Sequence, residues 1–257
     1  IHAQAAIQLG LDPDKQRFEG KIANFQTIYG GTPEGLAHNR GLELEATQRH
    51  HNWWFTNYPK IGEARERLAS DYSALSQPLG IGSAVVWNDP KEYVESFLGF
   101  RRYFTLEYKI CRALFELAQS PPSHWPDIQV RRRQKIQTGK GAVSSALYAA
   151  AFAVSSQCVR AAGNHWIQSP GGQITKAVQR AVWDLQPVGV HPMRVMPLNI
   201  HDEIMCVNDC PDLVAETVRT NVEKFRPHVP LIGMTWFKSM KTWDKKSGRS
   251  GEVSICA

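Results

Sequence analysis

RFEGKIANFQTIYGG, residues 17–31, sets Arg17, Lys21, Phe25 and Tyr29 four positions apart and then stops at two glycines. At 100° per residue each step of four drifts by about 40°, so in a helix all four project from one slowly winding face. That face is basic at its start and aromatic at its end. A helix face turned to a core is aliphatic throughout. Two cations followed by two rings suit a nucleoside triphosphate instead, the cations meeting phosphates and the rings stacking near sugar and base. An ammonium about 4 Å from a phosphate oxygen is worth roughly 4 kcal/mol at an effective dielectric of about 20. An ordinary solvated face is the plainer alternative.

The rest of the chain arranges itself around that helix. Asp12-Pro13 is a start signal and Gly30-Gly31 a stop, which predicts a helix over 12–30. A second helix runs through ELEATQRHHNWWFTNY (43–58) and breaks before Pro59, and KIGEARERLASDYSAL (60–75) reads as a third. The stretch 76–91, with Pro78, Gly80, Gly82 and Pro90, is loop-like. EYVESFLGFRRYF (92–104) alternates as a hairpin turning at Gly99. LEYKICRALFELAQ (106–119) is helical and closed by Pro121-Pro122, and a basic loop follows. Then come a small-residue helix over about 142–164 and a separate helix, GGQITKAVQRAVWDL (171–185). MRVMPLNIHDEIMCVND (193–209) reads as two short strands presenting His201, Asp202 and Glu203 at their joint. A helix over DLVAETVRTNVEKF and a strand-like PLIGMTWF close the chain. Helices and strands without βαβ alternation mean α+β.

The 257 residues are 42% hydrophobic and 21% charged, enough for one large domain or two smaller ones. The net charge of +6 is held in patches at RRRQKIQTGK (131–140) and FKSMKTWDKKSGR (237–249), which suits phosphates and solvated loops alike. Five cysteines at irregular spacings read as reduced thiols. Cys206 and Cys210 lack a second pair at zinc spacing. GAVSSALYAAAFAVSSQC (141–158) is Ser-interrupted and reads as too short to cross a bilayer, so a soluble protein is expected. The chain opens on Ile1, which suggests a portion of something longer.

The row Arg-x3-Lys-x3-Phe-x3-Tyr-Gly resembles the nucleotide-binding helix of family A DNA polymerases, the bacterial polymerase I group and its phage relatives. Other segments agree in order. IHAQAAIQLG is similar to the segment before that helix, which implies that His2 touches the triphosphate. EATQRHHNWWFTNYPKI and YVESFLGFRRYF are similar to the next fingers helix and the hairpin returning to the palm. RAAGNHWIQSPGGQITK (160–176) resembles the palm helix along the primer–template duplex. Its residues agree independently: Arg160, Asn164 and Gln168 fall four apart among small neighbours, where donors in a row can meet minor-groove acceptors common to all base pairs. NIHDEI resembles the family's carboxylate motif. The resemblance implies Mg²⁺ at Asp202, primer support from His201 and a lesser role for Glu203.

The implied architecture is α+β, a mostly helical fingers subdomain plus part of an antiparallel-sheet palm of a right-hand polymerase. Residues 1–105 would be fingers, 106–140 a basic insertion without family counterpart, and 141–257 palm. The family's first carboxylate motif would lie upstream of His2. Asp71-Tyr72-Ser73 imitates its opening letters but follows the nucleotide helix, so it reads as a look-alike. Two Mg²⁺ ions about 4 Å apart need two aspartates, so Asp202 awaits a partner from an N-terminal portion or companion chain. The resemblance further implies primer–template DNA and a deoxynucleotide triphosphate (dNTP) as partners. It implies Lys21 and Arg17 on the phosphates, Phe25 on the sugar with discrimination against dideoxy sugars, and Tyr29 near the templating base. Arg131 and Arg132, with Arg133, are expected on template backbone. No membrane partner is expected, and the compartment is the cytoplasm of a bacterium or phage-infected host, or else an organelle. Two alternatives stand beside this: a non-catalytic DNA-binding subunit, and a single-subunit RNA polymerase fragment. His50-His51 beside Trp53, Trp54 and Phe55 suggest a metal site or aromatic cage, against which so much aromatic area argues for core packing.

Overall fold

In the computed structural model helix α2 spans Arg17–Ile28 and needs a neighbour to exist, being only three turns long. The described residues are 1–122, 125, 130–132, 135–137, 140–189, 194–200, 203–206, 211–229, 234–237 and 252–255. α2 begins later than Asp12-Pro13 predicts. The Asp12 carboxylate accepts the N–H groups of Asp14 (2.9 Å) and Lys15 (3.1 Å), a turn that competes with helix. At its far end Gly30 takes a φ of +89°, which a residue with a Cβ resists.

The neighbour is α1, His2–Gln8, which buries Ala5 and Ala6. Gly20 permits the contact, because a Cβ there would stand 2.2 Å from the His2 carbonyl oxygen and 2.8 Å from the Ala6 nitrogen. α3, Pro33–Arg40, was not anticipated. Its ends are nevertheless well marked: Thr32 Oγ1 accepts the Gly35 N–H at 3.2 Å, Pro33 opens it, and Gly41 closes it in the left-handed region. α4, Leu44–Asn57, and α5, Pro59–Tyr72, stand where the sequence puts them.

Strands β1, Leu75–Ser76, and β2, Val86–Trp87, form a minimal pair around the expected loop. β3, Tyr93–Glu95, and β4, Arg101–Tyr103, make the predicted hairpin, with Gly99 at φ +83° in its turn. α6, Thr105–Gln119, is followed by the pair β5, Val130–Arg132, and β6, Lys135–Gln137. α7 runs from Lys140 to Trp183 with Pro170 inside it. The break expected between two helices is therefore absent. One proline removes one ladder bond and its steric cost is about 3 kcal/mol, which flanking turns on both sides override. β7, Leu198–Ile200, pairs with β8, Glu203–Met205; α8 is Pro211–Glu223, and β9, Met234–Phe237, pairs with β10, Glu252–Ile255. Every strand pair among the described residues is antiparallel, so the chain is α+β as expected.

Ile1–Trp166 and Ile167–Ala257 are two compact units. The core of the first joins Leu68 and Tyr72 of α5 with Val94, Phe104, and Tyr108, Cys111 and Phe115 of α6. Ala151, Cys158 and Ala162 of α7 complete it, each at most 1% exposed. The first half of segment 106–140 supplies core through Tyr108, Cys111 and Phe115, and position 140/141 lies inside the first unit. The apolar run 141–158, expected to be too short to cross a bilayer, lies in α7, whose portion Gly141–Trp183 is by length and composition long and apolar enough to cross a membrane, with mean hydropathy 1.4 over an 18-residue window. Ala151, Cys158 and Ala162 on it pack into the core with α5 and α6. In the second unit Val178 and Val182 of α7 pack with Val214 and Val222 of α8 and with Ile204.

Candidate functional site

The row predicted on α2 forms on one side of the helix. Arg17, Lys21 and Phe25 are exposed and Tyr29 half-buried. Lys21 Nζ lies 5.8 Å from the centre of the Phe25 ring, and Phe25 and Tyr29 stack at 6.1 Å with planes 11° apart. His2 joins them from α1, its ring 6.2 Å from that of Phe25. Burial, then the Arg17 charge and more weakly that of Lys21, hold the His2 pKa below the usual histidine value. The ring is therefore neutral at neutral pH and donates through one nitrogen only.

The opposite side of α2 is buried: Gly20, Ala23, Asn24 and Thr27. Asn24, 1% exposed, bonds His2 of α1 and both His50 and Trp54 of α4, so one amide ties three helices together. His50 is wholly buried and Trp54 nearly so, as core packing predicts. Among the described residues no group of three His, Cys, Asp or Glu side chains could hold a metal.

Past the end of α2, a Cβ on Gly30 would stand 3.9 Å from both Arg160 Cγ of α7 and Arg65 Nη2 of α5. Arg160 is exposed, and Arg65 lies over the Phe55 ring at 5.1 Å. Asn164, half-buried, carries an Oδ1 that is buried with no hydrogen-bond partner among the described residues. Gln168 is exposed and belongs to the second unit. A further basic and aromatic surface was not anticipated. Phe97, Phe100 and Tyr103 are exposed on the β3–β4 hairpin, Arg101 lies 4.7 Å over Tyr93, and His165 stacks on Phe100 at 5.7 Å.

Ile200 pairs with Glu203, bracketing positions 201 and 202. His201 and Asp202 lie outside the described residues, as do Arg133 and the side chains of Arg131 and Arg132 on β5. Glu203 is half-buried at the start of β8. Asp71 is engaged elsewhere: Lys91 bonds it at 2.9 Å and Arg67 approaches to 3.8 Å, while Tyr72 fills the core. Asp71 and Tyr72 thus take part in ion pairing and core packing within the first unit.

Gly20, Asn24 and Arg65 carry no role in the sequence reading, and Trp54 enters it only with the aromatic cluster. Asn24 had a signal, an amide on the face otherwise made of Gly20, Ala23 and Thr27. Arg65 had none, because its proximity to Gly30 is a tertiary fact.

No family model and no curated protein matches the chain. Among solved structures it is similar to the POL domain of Pol1 from M. smegmatis in complex with DNA primer-template and dNTP. The identity is 19% and the TM-score 0.46, over 87% of this chain and 30% of that one. The chain thus spans under a third of that structure, and a likeness at this level transfers neither activity nor residue roles.

Proposed function

We propose that this chain is the fingers and part of the palm of a template-directed DNA polymerase, and that its α2 face binds the incoming dNTP. The observation that supports this is the composite surface of Arg17, Lys21 and Phe25 on α2 and Tyr29 just past its end, with His2 from α1. Lys21 and Arg17 take the phosphates, His2 adds a hydrogen-bond donor, Phe25 lies on the sugar and Tyr29 near the templating base. Arg160, beside Gly30, with Asn164 and Gln168, holds the duplex, and Arg131 and Arg132 its template strand. Asp202, beside Glu203 and His201, takes one Mg²⁺, and the second carboxylate comes from a portion outside this chain.

Calorimetric titration with a dNTP tests the binding step without requiring the missing portion. An ammonium–phosphate contact is worth about 1 kcal/mol in bulk water and about 4 kcal/mol at a dielectric of about 20. Lys21→Ala should therefore weaken binding by at least about fivefold. Unchanged affinity in Lys21→Ala and Arg17→Ala would overturn the assignment. Primer extension with the portion bearing Asp-Tyr-Ser-x-x-Glu added back then tests the reaction.

A further inference from the structure

Asn24 touches no ligand in the proposed function, yet its partners determine the chemical form of His2. The Trp54 indole N–H donates and cannot accept, and it meets Asn24 Oδ1. The oxygen end of the amide therefore faces α4. His50 Nε2 stands 3.1 Å from the same oxygen, so it too donates and carries the ring proton of His50. His50 Nδ1 is then the bare nitrogen, and it is the atom of that ring left without a partner among the described residues. With its oxygen turned to α4, Asn24 presents its NH₂ to His2 Nδ1 at 2.9 Å. An NH₂ only donates, so His2 Nδ1 must accept.

We infer that Asn24 is a positioning residue: fixed by Trp54 and His50, it holds His2 as the neutral tautomer protonated at Nε2. Nε2–H is then the one donor that the ring offers to a triphosphate oxygen. The ligand in that statement rests on the proposed function; the tautomer does not. Gly20 is part of the device, because only without a Cβ there can α1 come close enough for His2 to reach Asn24. A protonated Nδ1 would set two donors face to face across 2.9 Å.

Nitrogen-15 NMR of histidine-labelled protein distinguishes protonated from bare ring nitrogens, and inorganic tripolyphosphate serves as the anion probe. In the unaltered chain His2 should show a protonated Nε2 and a bare Nδ1 at neutral pH. Asn24→Asp replaces the donor with a second acceptor and should bring a proton to Nδ1. Trp54→Phe removes the group that orients the amide and should give a mixture of tautomers. Should Asn24→Asp fail to fold, Trp54→Phe decides by itself. Pure Nε2–H His2 in every folded variant overturns the inference, whatever the anion does. If the tautomer shifts as expected while tripolyphosphate binds to none of the proteins, the Asn24 clamp stands and the nucleotide assignment of this face falls.

Discussion

Acid should weaken the first unit through His50, whose ring is wholly buried on α4. Burial lowers its pKa from 6.5 to about 4. In the unfolded chain the same ring titrates near the ordinary value of about 6.5. Between those two values the unfolded chain binds a proton that the folded chain refuses. Stability is therefore fully present above about pH 6.5 and falls as the pH drops toward 4. A gap of about 2.5 units at 1.36 kcal/mol each makes the full loss about 3 kcal/mol. His50→Gln removes the titrating group while keeping an N–H that can reach Asn24. Urea unfolding of both proteins, from about pH 7 to about pH 4, gives the comparison. His2 and His51, whose pKa values are also lowered mainly by burial, remain in both proteins, and the His51 charge is the second, smaller cause that lowers His50. The variant can start less stable, but its pH-dependent loss should be smaller by about 3 kcal/mol. Equal losses in the two proteins would refute the reasoning.

Gly20→Ala forces a Cβ to within 2.2 Å of the His2 carbonyl oxygen, so α1 must move. The expected cost is roughly 1–3 kcal/mol in thermal or urea unfolding, and unchanged stability would contradict the packing described. Replacing Arg131, Arg132 and Arg133 with Ala should flatten the salt dependence of DNA binding by about one unit of slope per lost phosphate contact; an unchanged slope disposes of that role. Phe25, 41% exposed, is the position to test for sugar discrimination. With the missing portion supplied, Phe25→Tyr should incorporate dideoxynucleotides more readily, and equal incorporation by both forms removes Phe25 from that role.

The elements legible in the sequence were those whose signals are local. α4 ends before Pro59, the hairpin turns at a glycine with positive φ, and the four-residue row on α2 needs only helical geometry. The start of α2 was misplaced because Asp12 serves a turn as readily as a cap. α7 was divided in two because Ser169-Pro170-Gly171-Gly172 reads as a break, and propensity is a weak prior against the turns on either side. α1 has no cap and no obvious periodicity; it exists because Gly20 gives it a place to lie. The candidate face was legible in its exposed half alone. Its buried half, Asn24 with His50 and Trp54, depends on contacts between residues 26 and 30 positions apart in the chain, which no local pattern encodes.

Helix α1 is moored at both ends by groups beyond its own span: His2 to Asn24, and the Gln8 carbonyl to the Arg49 guanidinium at 3.0 Å. The connection from Asp12 to Gln16, by contrast, makes its side-chain bonds only to itself among the described residues. Extra residues spliced into that tether would add only about 0.6 kcal/mol of closure entropy per doubling of its length. Chain continuity and spatial neighbourhood are thus separable here, and the first helix could tolerate a long detour before reaching its berth.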